Sequence, residues 1–369
     1  MSEQLTLPIR RYGQATNARI GEIEKAVQPL LSVRNLVRHF RLKRGMFNLS
    51  RQVIPAVDGV SFDLFDGETL GVVGESGCGK STLSRLIMAL IEPQAGEIAF
   101  DGKLVGSRDM PLKEFRRQVQ IVFQDSYSSL NPRLTVEQSI AFAPRVHGTD
   151  RREAIAAAWD LLDRVGLRPD QFARRYPHQL SGGQRQRINI ARALALRPKL
   201  IILDEPVSAL DKSVEAQVLN LLKDLRAEFG VSYLLVSHDL NVVRYMSDRI
   251  LVMYLGRVSE IGPVQAIYSD PAHPYTSALL ASRPSLDPMA RHTEPPLIGD
   301  PPGLDAADAG CRFRTRCRSA EPLCHQIVPK LTAVSDGHWS ACLMADRNSG
   351  HSKTIMRTRS AAPMEEGSR

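Results

Sequence analysis

The feature that most constrains the fold is a glycine-rich segment, GESGCGKS at residues 74–81. It lies between an apolar run at residues 68–73, which predicts a buried strand, and residues 81–90, whose apolar spacing predicts a helix. The segment matches G-x-x-x-x-G-K-[S/T], in which glycines let backbone N–H groups surround phosphates at a helix N-terminus. The sequence therefore predicts a phosphate-binding loop in an α/β fold, and a purely structural glycine-rich turn is the less favoured alternative.

Further apolar runs alternate with helical patterns, as in parallel sheets covered by helices. They are the predicted strands 200–203 and 231–236 and the predicted helices 213–229 and 240–246. Near the N-terminus, residues 31–36 and 60–64 alternate with period two and predict a small antiparallel β layer, with a basic insertion at residues 41–51 between them. Residues 124–199 carry helical patterns alone, including 151–165 and 183–196, and predict a helical insertion into the core.

Charge and hydropathy exclude few classes of protein. The 369 residues carry a formal net charge of +8, without a run of five consecutive Lys or Arg residues. This charge fits a nucleic acid, an anionic membrane surface, a phosphate-bearing ligand or simply a solvated surface, and it cannot choose among them. No segment approaches the roughly 18 apolar residues of a membrane span, and the first 31 residues lack the pattern of a secretory signal. We therefore expect a cytosolic protein.

Two acidic residues follow the predicted strand at residues 200–203. Asp204 and Glu205 stand at its carboxyl end, which in a parallel sheet lies beside the phosphate-binding loop. Such a pair can also cap a strand end. Downstream of a phosphate-binding loop, we expect Asp204 to bind Mg²⁺, directly or through water, and Glu205 to polarise an attacking water.

The segment LSGGQ at residues 180–184 indicates a second phosphate-binding element, because its glycines begin a predicted helix. Here the chain resembles the nucleotide-binding subunits of ABC transporters, whose signature is this LSGGQ. The resemblance spans roughly residues 30–281 and includes, in the order of the family, Gln124 in VFQD, Asp211 in SALD and His238 in VSHD. It implies two subunits that pair head to tail, so that each signature segment closes on the ATP of the other subunit.

The resemblance also implies roles for individual residues. Gln124 would contact Mg²⁺ or the water, His238 would hold the γ-phosphate, and Phe40 would stack on adenine, with His39 or Phe47 as substitutes. The implied catalytic residues are Lys80, Gln124, Glu205 and His238, and the implied Mg²⁺ ligands are Ser81, Gln124 and Asp204. The implied ATP-binding residues are Phe40, Gly74, Glu75, Ser76, Gly77, Cys78, Gly79, Lys80, Ser81, Thr82, Gln124, Ser181, Gly182, Gly183, Gln184 and Asp211, with Cys78 as a small filler of the loop.

Four of the five cysteines, Cys311, Cys317, Cys324 and Cys342, cluster towards the C-terminus. In a reducing compartment such a group indicates a metal site before disulfides. With DPAHPY at residues 270–275, it resembles the C-terminal extension of oligopeptide/dipeptide importer ATPases, which implies a [4Fe–4S] cluster; four thiolates are its usual ligand set. Zinc, whose ligands usually come in closer pairs, is the second alternative, and no metal is the third. His325 and His338 are spare candidate ligands.

The two resemblances imply an ATP-hydrolysing subunit of a bacterial importer of di- or oligopeptides, or of another small solute such as nickel or an opine. The expected partners are two transmembrane permease subunits, a second ATPase subunit (a homologue or a copy) and an extracytoplasmic solute-binding protein, with the chain peripheral on the cytoplasmic face of the inner membrane. The rival is a soluble ABC ATPase that acts on nucleic acid or ribosomes, which the positive charge permits. Single copies of each motif and the lack of a long coiled coil argue against it, and the cysteines disfavour an exporter.

The predicted fold class is thus α/β, with a P-loop NTPase (RecA-like) core, an antiparallel β layer, a helical ABC subdomain and a small C-terminal cysteine-rich module. The predicted divisions are a tail at 1–29, an ATPase domain at 30–282 with its helical subdomain at about 125–199, the module at 283–346 and a disordered tail at 347–369. Prolines after residue 263 predict a linker into the module. We therefore expect nucleotide binding to be independent of the cysteines.

Overall fold

A computed structural model of the chain describes residues 28–42, 52–282 and 310–354. Its described strands form a four-stranded antiparallel sheet, in the order β2-β1-β4-β5, and an eight-stranded mixed sheet, in the order β11-β12-β10-β9-β3-β8-β7-β6. The strands are β1 (Leu31–Leu42), β2 (Gln52–Leu64), β3 (Thr69–Val73), β4 (Ala95–Phe100), β5 (Lys103–Leu104), β6 (Val119–Val122), β7 (Leu200–Asp204), β8 (Ser232–Val236), β9 (Arg249–Tyr254), β10 (Arg257–Pro263), β11 (Thr332–Ser335) and β12 (His338–Ser340).

Helices cover the mixed sheet and build the insertion between β6 and β7. They are α1 (Lys80–Ile87), α2 (Leu112–Gln118), α3 (Val136–Val146), α4 (Arg151–Arg164), α5 (Pro169–Phe172), α6 (Gly182–Leu194), α7 (Lys212–Phe229), α8 (Leu240–Met246), α9 (Val264–Ser269) and α10 (Pro274–Ala281). In the part of the chain that the structure describes, no helix combines the length and the apolar character needed to cross a bilayer. The predicted α/β class is confirmed, as is the helical character of residues 124–199.

The central strands of the mixed sheet are parallel and buried. β3 pairs with β8 and β9, and β7 pairs with β6 and β8, all in parallel. Every residue of β3, β7 and β8 is buried, which is why these strands read as continuous apolar runs and not as alternating ones. Their carboxyl ends therefore meet at one edge of the sheet.

The antiparallel sheet confirms the predicted β layer and extends it. β1 pairs with β2 from Leu31↔Leu64 to Leu42↔Gln52, so both strands extend beyond their predicted bounds to the edges of the predicted insertion at residues 41–51. The buried apolar residues of this sheet pack against one face of the mixed sheet in a core cluster that includes Leu36, Phe62 and Phe100. Phe47 and the N-terminal residues 1–27 lie outside the described residues.

The cysteine-rich module is joined to the core by strand pairing as well as by the chain. β12 pairs with β10, with Glu260 opposite Ser340, and β11 pairs with β12. The Glu260 carboxylate is fully buried, accepts the backbone N–H groups of Ala272 and His273, and lies 2.6 Å from Nε2 of His338. The module predicted to follow a Pro-rich linker is therefore also attached to the core directly, because a continuous sheet and the buried His338–Glu260 hydrogen bond cross the boundary.

The predicted disordered tail also begins too early. Residues 347–354 are described, and His351 is buried, with its Nε2 3.1 Å from the carbonyl oxygen of Ser319. The polar composition of this segment predicts a solvated tail, but the histidine packs back onto the module. The Pro-rich residues 283–309 and the last residues, 355–369, lie outside the described ranges.

Candidate functional site

The phosphate-binding loop forms between β3 and α1, as predicted. Gly74 and Gly79 adopt left-handed φ values of 152° and 108°, and a Cβ would lie 2.2 Å from the carbonyl oxygen of Met253 at Gly74 and 1.9 Å from that of Ala56 at Gly79. Only glycine fits at these two positions. At Gly77, by contrast, a Cβ would meet no atom within 4 Å, so the loop is open where a phosphate would approach.

Lys80 lies inside this loop. Its Nζ donates to the carbonyl oxygens of Gly74 at 2.7 Å and Glu75 at 3.0 Å, and the side chain is buried. Cys78 is buried against it, and desolvation raises the pKa of the thiol, so Cys78 fits its predicted place as a filler. The ammonium group is positioned where it can exchange loop carbonyls for phosphate oxygens.

Two further residues of the predicted site differ in exposure. Ser76 is exposed on the loop, and Thr82 is half-buried in the first turn of α1. The unpaired N–H groups of this helical turn face the loop, as at any helix N-terminus.

A hydroxyl and a carboxylate meet beside α1. Ser81 Oγ donates to Oδ1 of Asp204 at 3.2 Å. Burial, foremost, and the nearby Glu205 raise the pKa of Asp204. A divalent cation between these oxygens would offset this electrostatic cost, so the pair fits the predicted Mg²⁺ site.

Three predicted catalytic residues converge at the carboxyl edge of the sheet. Gln124 Nε2 donates to Glu205 Oε2 at 3.0 Å, and His238 Nδ1 lies 3.2 Å from Glu205 Oε1. They come from segments that follow β6, β7 and β8. The Glu205 side chain is 15% exposed and the His238 side chain 57%, so a carboxylate in a shallow recess is flanked by two polar groups open to solvent.

The backbone of Glu205 is unusual. Its φ is 50°, in the left-handed region that residues other than Gly, Asn and Asp rarely adopt. The conformation is held by its own N–H, which donates to the Val236 carbonyl at 2.9 Å, and by its carbonyl, which accepts from Ser208 Oγ at 3.2 Å. The turn sends the carboxylate out of the strand direction towards Gln124 and His238.

The signature segment caps α6. Ser181 Oγ accepts the N–H of Gln184 at 3.3 Å, and Gln184 Oε1 accepts the N–H of Ser181 at 3.0 Å, which is a reciprocal capping box. The N–H groups of Gly182 and Gly183 belong to the first turn, where no intrahelical acceptor exists. Among the residues described, no hydrogen bond joins this segment to residues 74–82. Asp211 stands at the N-cap of α7, exposed, without a side-chain capping bond.

The predicted adenine-stacking residues lie on β1. The Arg38 guanidinium lies 5.2 Å from the centre of the Phe40 ring, and His39 Nε2 lies 3.1 Å from Asp58 Oδ1. The role of Phe40 stays a prediction, because these contacts fix where both side chains lie and not what they bind.

The four C-terminal cysteines line one cavity of about 20 Å³. Burial is the main reason that the pKa of Cys311 is raised to about 11 and that of Cys342 to about 12, and neighbouring thiols add to both shifts. A bound cation would stabilise the thiolate forms that burial disfavours. Thiolates are the donors that zinc and iron–sulfur clusters use, but within the described ranges no three His, Cys, Asp or Glu side chains are arranged to hold a metal ion, so the predicted cluster stays a prediction.

The two spare histidines do not lie at this cavity. His338 is buried against Glu260, and His325 is exposed. The histidines that do line the cavity are His273 and His351. His273 uses Nδ1 to accept the N–H of Tyr275 and begin α10, and desolvation lowers its pKa to about 4.

The sequence motifs miss several residues that contact the phosphate-binding loop. Arg316 donates to both carboxylate oxygens of Glu75, and the Glu75 N–H donates to the Tyr275 hydroxyl at 2.9 Å. Arg312 donates to Asp58 Oδ2. The one signal in the sequence for these contacts is the alternation of arginines in CRFRTRC at residues 311–317.

Comparison with known proteins gives two family matches. The family described as "ABC transporter" matches residues 57–208, and that described as "Oligopeptide/dipeptide transporter, C-terminal region" matches residues 259–324. The first covers the phosphate loop, the signature segment and the acidic pair. The second covers β10, α10 and three of the four cysteines.

Curated relatives match along most of their length. The chain is 49% identical over 315 residues to a probable peptide ABC transporter ATP-binding protein of Sinorhizobium fredii, covering 85% of this chain and 89% of the relative. It is 45% identical to the oligopeptide transport ATP-binding protein AppF of Bacillus subtilis (85% and 97%) and 46% identical to the dipeptide transport ATP-binding protein DppF of Haemophilus influenzae (86% and 97%).

Solved structures share the core. A dimeric ATP-binding cassette in a post-hydrolysis state with ADP and Pi is 32% identical, with a TM-score of 0.55 over 63% of this chain and 98% of the other. The protein cbiO1 of Clostridium perfringens, part of the ABC transporter complex cbiONQ, is 28% identical, with a TM-score of 0.56 over 66% of this chain and 91% of the other.

The contact between α6 and α7 generates a test of the signature segment. A Cβ at Gly183 would lie 2.5 Å from Val214 Cγ1, so Gly183→Ala should lower the free energy of unfolding in urea by about 1–3 kcal/mol through overpacking. Gly182→Ala is the matched control, because its Cβ would lie 3.6 Å from Leu210 Cδ2, an ordinary contact, and both changes alter helix propensity alike. Equal stability of the two variants would contradict the close approach.

Proposed function

This chain belongs to the ABC transporter family of ATP-binding proteins, and we propose that it is the ATP-hydrolysing subunit of an importer of di- or oligopeptides. The observation that carries the proposal is the convergence of Gln124, Glu205 and His238 at the sheet edge that also bears the phosphate-binding loop. The names of the relatives from S. fredii, B. subtilis and H. influenzae support peptides as the solute. The match of residues 259–324 supports the same subfamily.

Nucleotide binding follows from the loop geometry. The polyphosphate enters the open side of the loop at Gly77, the first turn of α1 donates N–H groups to it, and Lys80 leaves its loop carbonyls for the phosphate oxygens. Ser81 and Asp204, which lie within hydrogen-bond distance of each other, would hold Mg²⁺, and Gln124 would complete its ligands; the bound ion would neutralise charge on the phosphate oxygens. Phe40 is the proposed platform for adenine.

Hydrolysis uses the carboxylate that the strained turn presents. Glu205 accepts a hydrogen bond from the attacking water and polarises it, and Gln124 and His238 orient the water and the γ-phosphate. In the described conformation Glu205 accepts one hydrogen bond from Gln124 and lies 3.2 Å from His238, and its carboxylate keeps further lone pairs with which to accept the water. The reaction is in-line displacement at phosphorus, in which positioning and charge stabilisation supply most of the catalysis.

A second subunit completes each site. The N–H groups of Gly182 and Gly183 have no acceptor in the helix that they begin, and the signature segment makes no hydrogen bond to the phosphate loop of its own chain within the described residues. We propose that they bind the γ-phosphate on the partner subunit in a head-to-tail dimer, which ATP closes and hydrolysis reopens. The dimeric cassette with ADP and Pi supports this arrangement.

The wider assembly follows from the family. We propose two transmembrane permeases, an extracytoplasmic solute-binding protein and a position on the cytoplasmic face of the inner membrane. The proposed organisation comprises the ATPase domain at 30–282, with a helical subdomain at about 125–199, and the cysteine-rich module from 283 through at least 354, which extends the predicted boundary to include His351. A ribosomal or nucleic-acid role finds no support among the relatives named.

For the cysteine cavity, we propose that Cys311, Cys317, Cys324 and Cys342 hold a [4Fe–4S] cluster. The support is that all four thiols line one cavity and that burial raises the pKa of Cys311, Cys317 and Cys342, so that a cation would be needed to favour their thiolates. When bound, such a cluster would cross-link segments that are distant in sequence and thereby stabilise the module. Zinc is the alternative occupant, and the metal content of the purified protein distinguishes the two.

The proposed base generates the first test. Glu205→Gln should keep ATP binding and lower the ATP hydrolysis rate by about 10²–10³-fold, because the water loses its polarising carboxylate while the phosphate loop is intact. Phosphate release and equilibrium binding of an ATP analogue measure the two effects. Glu97→Gln, on an exposed position of β4, is the control and should hydrolyse ATP at the parental rate. Parental hydrolysis by Glu205→Gln would remove Glu205 from the role of base.

The proposed head-to-tail dimer generates the second test. In the Glu205→Gln background, Ser181→Arg should bind ATP but no longer dimerise with it, because a bulky cation occupies the docking place of the partner's γ-phosphate. Light scattering with ATP measures the mass. Ala157→Arg, exposed on α4, controls for the added charge, and a thermal melt checks for the lost cap, which costs about 1 kcal/mol. Undiminished dimerisation would contradict the head-to-tail arrangement.

The proposed iron–sulfur cluster generates the third test. Protein purified without oxygen should be brown and contain about four iron atoms per chain, and Cys317→Ser should lose the colour. Cys78→Ser is the matched control, because Cys78 lies in the phosphate loop, away from the cavity. Stoichiometric zinc, or no metal after iron–sulfur reconstitution, would overturn the cluster and leave the ATPase proposal intact.

A further inference from the structure

The segment between the first two cysteines of the cavity is a compact turn, which we call the cysteine loop (residues 311–317). Three internal backbone bonds close it: Arg314 N–H to Cys311 O, Arg316 N–H to Phe313 O, and Cys317 N–H to Arg314 O, at 3.2, 3.0 and 3.4 Å. The N–H of Cys311 donates to the carbonyl of Cys324 at 2.8 Å. The positions of the loop's arginines are therefore tied to the positions of three cavity cysteines.

One arginine of this loop binds the phosphate-binding loop directly. The Arg316 guanidinium donates through both terminal nitrogens to the two oxygens of Glu75, at 2.7 and 3.0 Å. The Arg316 side chain is 5% exposed and that of Glu75 22%, so the pair lies largely out of water. Two parallel bonds fix orientation as well as charge, which a single ammonium could not do.

The same loop is anchored to the residues under the phosphate loop. Phe313 is buried with its ring centre 5.5 Å from that of Tyr275 and 5.4 Å from that of Tyr254. The Tyr275 hydroxyl accepts the N–H of Glu75, and the Tyr254 hydroxyl lies 3.4 Å from Arg316 Nη1. Glu75 is thus held at its backbone by one of these tyrosines and at its side chain by Arg316.

A second arginine of the cysteine loop contacts the antiparallel sheet. Arg312 follows Cys311 and donates to Asp58 Oδ2 at 2.5 Å. Asp58 also contacts His39 on β1, near the proposed adenine platform. The cysteine loop therefore contacts the core at two points, of which the Glu75 contact lies in the phosphate-binding loop.

We propose that Arg316 is a positioning residue of the phosphate-binding loop, and that through Glu75 it couples the occupant of the cysteine cavity to the affinity for ATP. The proposal rests on the proposed ATPase function, and its second part on the proposed cluster. Arg316 does not touch the nucleotide; it acts by holding Glu75 and by neutralising its charge.

The direction of the effect follows from charge. Glu75 places an anion in a loop that must bind a polyanion, and the Arg316 guanidinium compensates it at hydrogen-bond distance. Without Arg316, the unpaired carboxylate repels the phosphates and loses its fixed position. Emptying the cysteine cavity loosens the residue next to Arg316, Cys317, and therefore acts in the same direction. By linkage, ATP must in turn favour the occupied cavity.

The test is the binding of a fluorescent ATP analogue with Mg²⁺ to the full-length protein. Arg316→Ala should weaken binding at least about fivefold, the lower range of coupling between sites. Arg318→Ala is the matched control: it removes an exposed arginine from the other side of Cys317 and should bind within about twofold of the parent protein. Equal affinities of the two variants would overturn the proposal.

A second substitution separates positioning from general damage. Adding Glu75→Gln to Arg316→Ala removes the unpaired anion and should restore most of the lost affinity, a non-additive result that a merely structural role of Arg316 would not give. Arg316→Lys, which keeps the charge without the two-pronged contact, should fall between the parent protein and Arg316→Ala. Failure of Glu75→Gln to rescue would contradict the proposed charge compensation.

The coupling to the cavity is tested with metal content and nucleotide affinity measured on the same samples. Cys317→Ser should lose metal and weaken analogue binding, and the weakening should be smaller when Glu75→Gln is also present. Metal loss without any change in affinity would overturn the coupling and leave the nucleotide site as proposed. If the parent protein itself failed to bind the analogue, the proposed ATPase function would fall, and this inference with it.

Discussion

The parallel pairing of β3, β6, β7 and β8 is the constraint on which the site depends. Parallel strands end at the same edge, so the segments after them bring residues from positions 74–80, 124, 205 and 238 together although they are far apart in sequence. Asp204, the last residue of β7, pairs with Val236, the last residue of β8, and this register sets the relative positions of Glu205 and His238. A shift by one residue would turn each side chain to the opposite face and separate Glu205 from both of its partners.

The sequence predicted β3, β7 and β8 because each of these strands is fully buried and therefore forms a continuous apolar run, and it predicted the functional groups because each sits in a recognisable motif. The predicted strand at residues 200–203 and the helix at 240–246 differ from the observed elements by at most one residue. β4, β5 and β6 were not predicted: most residues of β4 and β5 are exposed, and β6 has only four residues, of which the middle two are half-buried. His338 resembled a metal ligand beside the cysteines, and its true partner, Glu260, is 78 residues away in sequence, where no local signal can identify it.

The attachment of the C-terminal module to the core could not be predicted from composition. Its Pro-rich approach predicts independence, yet a three-residue strand, β12, and a few arginines attach it to the core. Strand pairing this short has no periodicity to detect. Arg316 looked like one basic residue among 48, and only the fold shows it paired with Glu75 in the phosphate loop. Ion pairs between segments this distant in sequence depend on tertiary placement, which local patterns do not encode.

The left-handed backbone conformation of Glu205 lowers the stability of the folded protein. A side chain other than glycine in that conformation costs roughly 1–2 kcal/mol, and the cost is borne in every molecule whether or not ATP is bound. Glycine would relieve the strain and abolish the carboxylate. A glycine at this turn would therefore make the folded chain more stable, and the strain at Glu205 is the stability that the chain loses by holding a carboxylate at this edge of the sheet.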